Sequence, residues 1–280
     1  EMELQADLGA DIYLTLDREV QFATEQVLAN SLTEYSASAG TIIVANPNTG
    51  EILAMASMPN FDPNDVDALL NKPPYTWHNP AVSDQFEPGS VFKVLTMAAA
   101  LQSGMFVPQS TYLDTGHFEY GGILINNWDG RAWGLQDMTG LLSHSLNVGA
   151  ATLSTTLGPQ QYYDYVSAFG IGRLTNVDAA GEEPGHLKRP GDPDWHDADL
   201  ATNSFGQGVA TTSLQMITSI SAIANGGAIM HPHLLLEVHD GDAIYSSQPQ
   251  IMGRPVSAEV AKTLADMLAE SLAQETKLAL

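Results

Sequence analysis

The chain has 280 residues, 44% of them hydrophobic, and acidic residues outnumber basic ones 33 to 10 for a formal charge of −23. That supplies apolar material for a large core, while the negative balance argues against nucleic acid or an anionic lipid surface as partner. The chain contains no cysteine, which excludes disulfides, thiolate metal sites and cysteine nucleophiles, and it has no run of about 18 apolar residues of the kind that spans a membrane.

Residues 11–17 (DIYLTLD) alternate apolar and polar and predict a short strand. A helical period follows from about Arg18 to Tyr35, with Val20, Ala23, Val27 and Leu28 on one face. Two β-rich runs, 41–45 and 51–57, flank Asn46-Pro47-Asn48-Thr49-Gly50 and predict a hairpin. Residues 59–89 are rich in Pro, Asn and Asp and read as a long ordered loop. From Ser90 the sequence SVFKVLTMAAALQSGM is apolar nearly all round, the pattern of a buried central helix, with Pro88 just before its start. Short strands and loops are expected over 110–137, helices over about 138–157 and 159–169, and a polar loop over 181–199. Helices are expected again over 211–225 and 257–274, with a strand or hairpin around 233–247 turning at Asp240-Gly241. The order of elements predicts an α+β fold, an antiparallel sheet packed with helices plus a helical cluster.

Ser90 and Lys93 stand three residues apart, so on a helix that starts near Ser90 they share one face. A serine hydroxyl needs a base to become a nucleophile. A lysine serves as that base when apolar surroundings lower its pKa, and Val91, Phe92, Val94, Leu95 and Met97 offer such surroundings. A serine at a helix start is most often only a cap. Yet this is the one Ser-x-x-Lys in a chain with few lysines, and an idle charge inside an apolar helix would be costly. The helix start also places backbone N–H groups where an oxyanion could develop.

Ser145 and Asn147 form a Ser-x-Asn tripeptide at the head of the apolar run VGAATL. On a short turn between helices, the hydroxyl could relay a proton to a leaving amine. The carboxamide could donate to a substrate carbonyl and accept from a lysine. Such clusters serve elsewhere as caps.

S-x-x-K followed by S-x-N about fifty residues later resembles the penicillin-binding and β-lactamase group of serine acyl-enzymes, whose third motif is K-T-G. FEPGSVFK around Ser90, TIIVANPNTGEILAMAS, SFGQGVATTSLQM at 204–216 and the opening DIYLTLDREVQ together resemble the transpeptidase domain of class B penicillin-binding proteins, from about residue 11 to 280. EPGSVFK, FGIG at 169–172 and SFGQG lean toward the division-type enzymes over the elongation type. The resemblance implies a peptidoglycan D,D-transpeptidase: Ser90 as nucleophile, Lys93 as base, Ser145 as proton relay and Asn147 as a contact to substrate and lysine. Stem peptides ending in D-Ala-D-Ala and β-lactams are the implied ligands, with division-machinery proteins as further partners. It also implies a domain on the outer face of the cytoplasmic membrane, anchored by a segment upstream of Glu1. The competing readings are a D,D-carboxypeptidase or β-lactamase-like hydrolase using the same serine, and a catalytically inactive wall-binding or β-lactam-sensing module.

The third motif is missing. Lys262-Thr263-Leu264 lacks the glycine and falls in a helical period, and Lys277 is followed by Leu278 and Ala279. The expectation is therefore one transpeptidase domain over 1–280 that is incomplete at its C-terminal side, its K-T-G strand and following elements lying beyond Leu280; the alternative is a relative that has lost the motif and become non-catalytic. No cofactor is expected. Gly206-Gln207-Gly208 lacks the ending of a phosphate loop and reads as a tight turn beneath the site. His231 and His233 have no third ligand spaced with them. Asp192, Asp194, Asp197 and Asp199 lack the glycine of a calcium loop, and Asp62, Asn64, Asp65 and Asp67 fit a loop-and-cap reading. Trp128 and Trp133, flanking Asp129-Gly130-Arg131, are candidates for a cleft rim as well as for ordinary packing.

Overall fold

The helix Lys93–Gln102 is the axis of the molecule: Leu95, Thr96, Met97, Ala98, Ala99 and Ala100 are all fully buried. Small residues on this helix let its neighbours approach closely, and Leu141, Leu153, Tyr162, Val166, Phe169 and Leu264 close the core around it. A computed structural model describes residues 9–62, 64–65 and 78–278 of the chain; the Asp67 position of the loop reading lies outside them.

The predicted elements form with small shifts. Helices run over Arg18–Glu34, Pro159–Ala168, Ser213–Ala224 and Ala258–Leu278, and the hairpin pairs Gly40–Ala45 with Ile52–Met58. Asp17 caps the first helix by accepting from the Glu19 and Val20 N–H groups, and Thr212 with Gln215 forms a capping box on the helix that follows. The late hairpin turns at Asp240-Gly241 as its sequence indicates, joining Leu235–Asp240 to Ala243–Ser246.

Four expectations are corrected. The face Val20, Ala23, Val27 and Leu28 is not the buried one: Thr24 and Leu28 are buried against the hairpin, while Val27 is exposed. Val20, Ala23 and Val27 instead border a shallow apolar surface with Ile42. Burial here follows the packing partner, and Thr24 reaches its place by donating its hydroxyl to Val20 O. The run 138–157 is two helices, Met138–Ser143 and Asn147–Leu157, broken at His144–Leu146. The polar segment 181–199 contains the start of a helix, Asp197–Thr202, capped by the reciprocal His196–Asp199 pair. The loop 59–89 carries a short helix, Pro80–Ser83, capped by Asn79.

Sheet structure is dispersed among small antiparallel units, in keeping with an α+β fold. Asp11–Leu14, Leu235–Asp240 and Ala243–Ser246 form a three-stranded sheet, and the other ladders among the described residues are two-stranded. Ile52–Met58 is held on its second edge by a bridge from Glu51 to His233 and by Asp17 N–H donating to Leu53 O at 2.9 Å. Among the described residues no strand pairs with the outer edge of Gly40–Ala45. Two further ladders, Thr111–Asp114 with Gly134–Asp137 and His117–Tyr120 with Ile123–Asn126, form a small β-unit over the broken helix pair.

Candidate active site

Ser90 does not open an α-helix directly. Gly89–Phe92 is a 3-10 turn, and the α-helix begins at Lys93. The tighter winding suits the chemistry, because residues i and i+3 of a 3-10 turn eclipse one another. Lys93 Nζ thus donates to Ser90 Oγ at 3.0 Å. Lys93 is only 2% exposed, whereas Ser90 faces solvent. Phe92, Leu95 and Met97 are fully buried around the helix start as anticipated; Val91 is not, standing 51% exposed. Burial pushes the Lys93 pKa down to about 8.

The same ammonium group reaches the second motif. Lys93 Nζ donates to Ser145 Oγ at 2.9 Å and to Ser145 O at 2.5 Å, so one buried amine bridges both serine hydroxyls. Ser145 sits between the two helices with φ at +52°, a left-handed conformation unusual for a residue with a Cβ. That conformation turns its carbonyl and its hydroxyl toward the same lysine. Positive φ outside glycine concentrates where the surrounding structure demands it.

Asn147 is brought to the same turn but not to the lysine. Its Nδ2 donates to Asn126 O at 2.9 Å, and its expected Lys93 contact is replaced by the Ser145 carbonyl. Residues 126 and 127 belong to the β-unit, which therefore reaches the turn from above. Trp133 stacks on His144 with ring centroids 3.9 Å apart and donates its Nε1 to Asp129 Oδ2; Trp128 donates its Nε1 to His144 O. Trp128 is 74% exposed, and both indoles are tied to His144, the residue before Ser145.

The turn at 203–208 holds the segment that leads into Ser90. Gly89 N–H donates to Gly206 O at 3.1 Å, Glu87 Oε1 accepts from Gly208 N–H at 2.8 Å, and Phe86 and Thr211 exchange two backbone bonds at 2.9 Å. Gly206 has φ at +77°, and a Cβ there would collide with the Gly89 backbone. The reading of Gly206-Gln207-Gly208 as a tight turn beneath the site therefore agrees with its place in the structure. An apolar groove of about 490 Å³ is walled by Phe86, Met216, Ile217 and Ile220 together with Pro88 and Val91, the residues that flank Gly89 and Ser90 in sequence.

The remaining candidates lie elsewhere. His233 is buried with its Nδ1 against His231 O, and His231 Nε2 meets Asn176 O at 2.9 Å. Asp199 binds Lys188 at 2.8 Å and closes its helix cap, Asp192 accepts from Arg189 N–H, and Asp62 accepts from Asn64 N–H. Sequence reasoning missed Asp114, Asn126, Asn127, Glu87 and His144. Each acts across a distance in sequence or through its backbone, so no local pattern marks it.

A buried lysine shared by two serines across a helix start and a strained turn defines the class of site used by serine acyl-transfer enzymes. The chain belongs to the penicillin binding protein transpeptidase domain family, whose model matches residues 40–277. It is 32% identical over 275 residues to stage V sporulation protein D of Bacillus subtilis (96% of this chain, 42% of that protein). It is 34% identical over 266 residues to penicillin-binding protein PbpB of Mycobacterium tuberculosis (93% and 38%). With the peptidoglycan D,D-transpeptidase FtsI of Escherichia coli it shares 32% identity over 217 residues (78% and 36%). The crystal structure of penicillin binding protein 3 from Mycobacterium tuberculosis with aztreonam superposes with a TM-score of 0.86 at 33% identity, covering 96% of this chain and 59% of that one. The chain thus spans about two-fifths of the curated relatives it matches most fully.

Proposed function

We propose that this chain is the serine acyl-transfer part of a peptidoglycan D,D-transpeptidase of bacterial cell-wall synthesis. The observation that carries the reading is the position of Lys93 Nζ, at 3.0 Å from Ser90 Oγ and 2.9 Å from Ser145 Oγ in a buried setting. Neutral Lys93 takes the Ser90 proton as Oγ bonds to the carbonyl carbon of the penultimate D-Ala. The tetrahedral adduct collapses with loss of the terminal D-Ala, whose amine receives a proton through Ser145. An amine of a neighbouring stem peptide then attacks the ester and gives up a proton to Lys93, which returns it to Ser90 Oγ as the ester C–O bond breaks. A β-lactam follows the first half of this path, but its leaving amine stays tethered and the ester persists. The relative from Escherichia coli is named a peptidoglycan D,D-transpeptidase, and penicillin binding protein 3 has been solved with aztreonam and with ampicillin, which supports both ligand classes here.

The division-type role, contacts with other division proteins, and an extracytoplasmic position with an upstream membrane anchor belong to the same proposal. Among the described residues no helix is long and apolar enough to cross a membrane. We further assign 1–280 to one domain that gains strands after Leu280. Three features of the described residues support this: the unpaired outer edge of Gly40–Ala45, the open apolar groove at Pro88 and Val91, and the uncovered stripe at Val20, Ala23 and Val27. The 280 residues hold no K-T-G motif.

A fluorescent penicillin, applied to the protein at its native length, should label it covalently, and Ser90→Ala should abolish the label. Lys93→Ala should slow acylation by orders of magnitude. Labelling at full rate in Ser90→Ala would assign the nucleophile elsewhere. Product analysis with a stem-peptide donor and an amine acceptor separates transfer from hydrolysis.

A further inference from the structure

The helix Asn147–Leu157 begins without a side-chain cap of its own, because its N-cap residue is Leu146. The missing cap arrives from another part of the chain. Asn127 Oδ1 accepts from Val148 N–H at 3.2 Å, the same donor that a serine or aspartate at the N-cap would satisfy. Asn127 is 4% exposed and is itself fixed from both sides. Its Nδ2 donates to Arg131 O at 3.0 Å and to the two carboxylate oxygens of Asp114 at 2.9 and 3.0 Å. Asp114 is 1% exposed and also accepts from Gly116 N–H at 2.9 Å and Trp133 N–H at 3.2 Å. Every donor around this carboxylate is an N–H group. The carboxylate therefore sets which way the Asn127 amide points, with its oxygen toward Val148. The adjacent Asn126 carbonyl holds the Asn147 amide, so two consecutive residues of the β-unit grip two consecutive residues of the helix start. Ser145 lies just ahead of that start, in its left-handed conformation.

We infer that Asp114 and Asn127 are positioning residues for acyl transfer, acting through a helix cap supplied from the β-unit that keeps Ser145 against Lys93. Neither touches substrate in this scheme. The inference rests on the acyl-transfer reading of Ser90. Without the Asn127 oxygen the helix start is free to shift, and the Ser145 hydroxyl and carbonyl leave the lysine. A displacement of about 1 Å in a reacting group costs on the order of 10²-fold in rate.

The test uses the protein at its native length and a chromogenic β-lactam. Active-site titration counts only folded, reactive serine, so rates per titrated site do not fall merely because some protein is unfolded. Asn127→Ala should lower the acylation rate constant about 10²-fold and leave the noncovalent dissociation constant within about threefold. Asn127→Asp should be worse, because two carboxylates then face each other in a buried site. The exchange Asp114→Asn with Asn127→Asp restores an acceptor for Val148 and a donor–acceptor pair between the two side chains. It should recover most of the lost rate. Wild-type acylation per site in Asn127→Ala would overturn the inference. So would a loss confined to noncovalent affinity, or an exchanged pair that melts like wild type without regaining rate. Amide hydrogen exchange supplies a readout independent of chemistry, since Val148 should lose protection in Asn127→Ala. If wild type is not acylated at Ser90, the acyl-transfer reading fails on its own, and unchanged Val148 protection is then the result that overturns the cap.

Discussion

At the scale of single residues, Lys93 works against its own charge: burial lowers its pKa to about 8. A general base acts only when neutral, so acylation should rise as pH climbs toward about 8 and level off above it. Stopped-flow acylation across that range checks this, and a profile flat through pH 8 would remove Lys93 from the role. The same depression has a stability counterpart. Between about 8 and the ordinary 10.5 the unfolded chain binds a proton that the folded chain does not, so stability climbs with pH across that window. Below 8 the penalty is fully present. Relative to Lys93→Met, wild type should therefore gain melting temperature from about pH 8 to pH 10. Ser145 offers a second comparison, because its φ of +52° penalises any side chain. Ser145→Gly and Ser145→Ala both remove the hydroxyl proposed as the relay and should both acylate slowly. The glycine variant should be the more stable by about 1 kcal/mol in denaturant titration, since alanine retains the strain. Of this site, the Ser90–Lys93 pair was legible in the sequence because one turn of helix brings it together. The Ser145 carbonyl contact was not, since nothing in a Ser-x-Asn spelling states a backbone angle.

At the scale of elements, the turn at 203–208 and the 3-10 turn at 89–92 behave as one unit, joined by Gly89 to Gly206 and by Glu87 to Gly208. Gly206→Ala would put a methyl group into the Gly89 backbone at a φ of +77°. The lower turn, the nucleophile turn or both must move. We expect a fall in acylation of about 10²-fold per titrated site, alongside lower thermal stability. Gln207→Ala, between two glycines and with an exposed side chain, should change neither much. Periodicity recovered the central helix, both hairpins and the long C-terminal helix, because each carries its own pattern. It failed where tertiary contacts choose the face or the break. The helix Arg18–Glu34 buries Thr24 while leaving Val27 exposed, and the run after Met138 breaks at a serine whose left-handed backbone is held by a lysine fifty-two residues away.

At the scale of the whole molecule, the proposed continuation past Leu280 would find, among the described residues, an open apolar groove walled by Pro88 and Val91 and the unpaired outer edge of Gly40–Ala45. If the proposed continuation completes the site, the 280 residues alone should be acylated at least about 10²-fold more slowly than the longer protein, the size of effect that removing one oxyanion donor produces. Mass spectrometry after timed exposure to a β-lactam compares the two, and equal rates would count against the proposed continuation. The pairing of Asp11–Leu14 with Leu235–Asp240 has a consequence of another kind. Asp11 faces His239, so the first described strand finds its partner only after the segment Leu235–Asp240, far along the sequence, has been made. Contacts of such sequence separation are slow to form, because a very large loop must close before they return any energy. All four residues of the strand are exposed, leaving backbone bonds and edge contacts as its main hold. During synthesis this strand waits without a partner, and its exposed side chains make it a natural place for local opening to begin, ahead of the helix that carries Lys93.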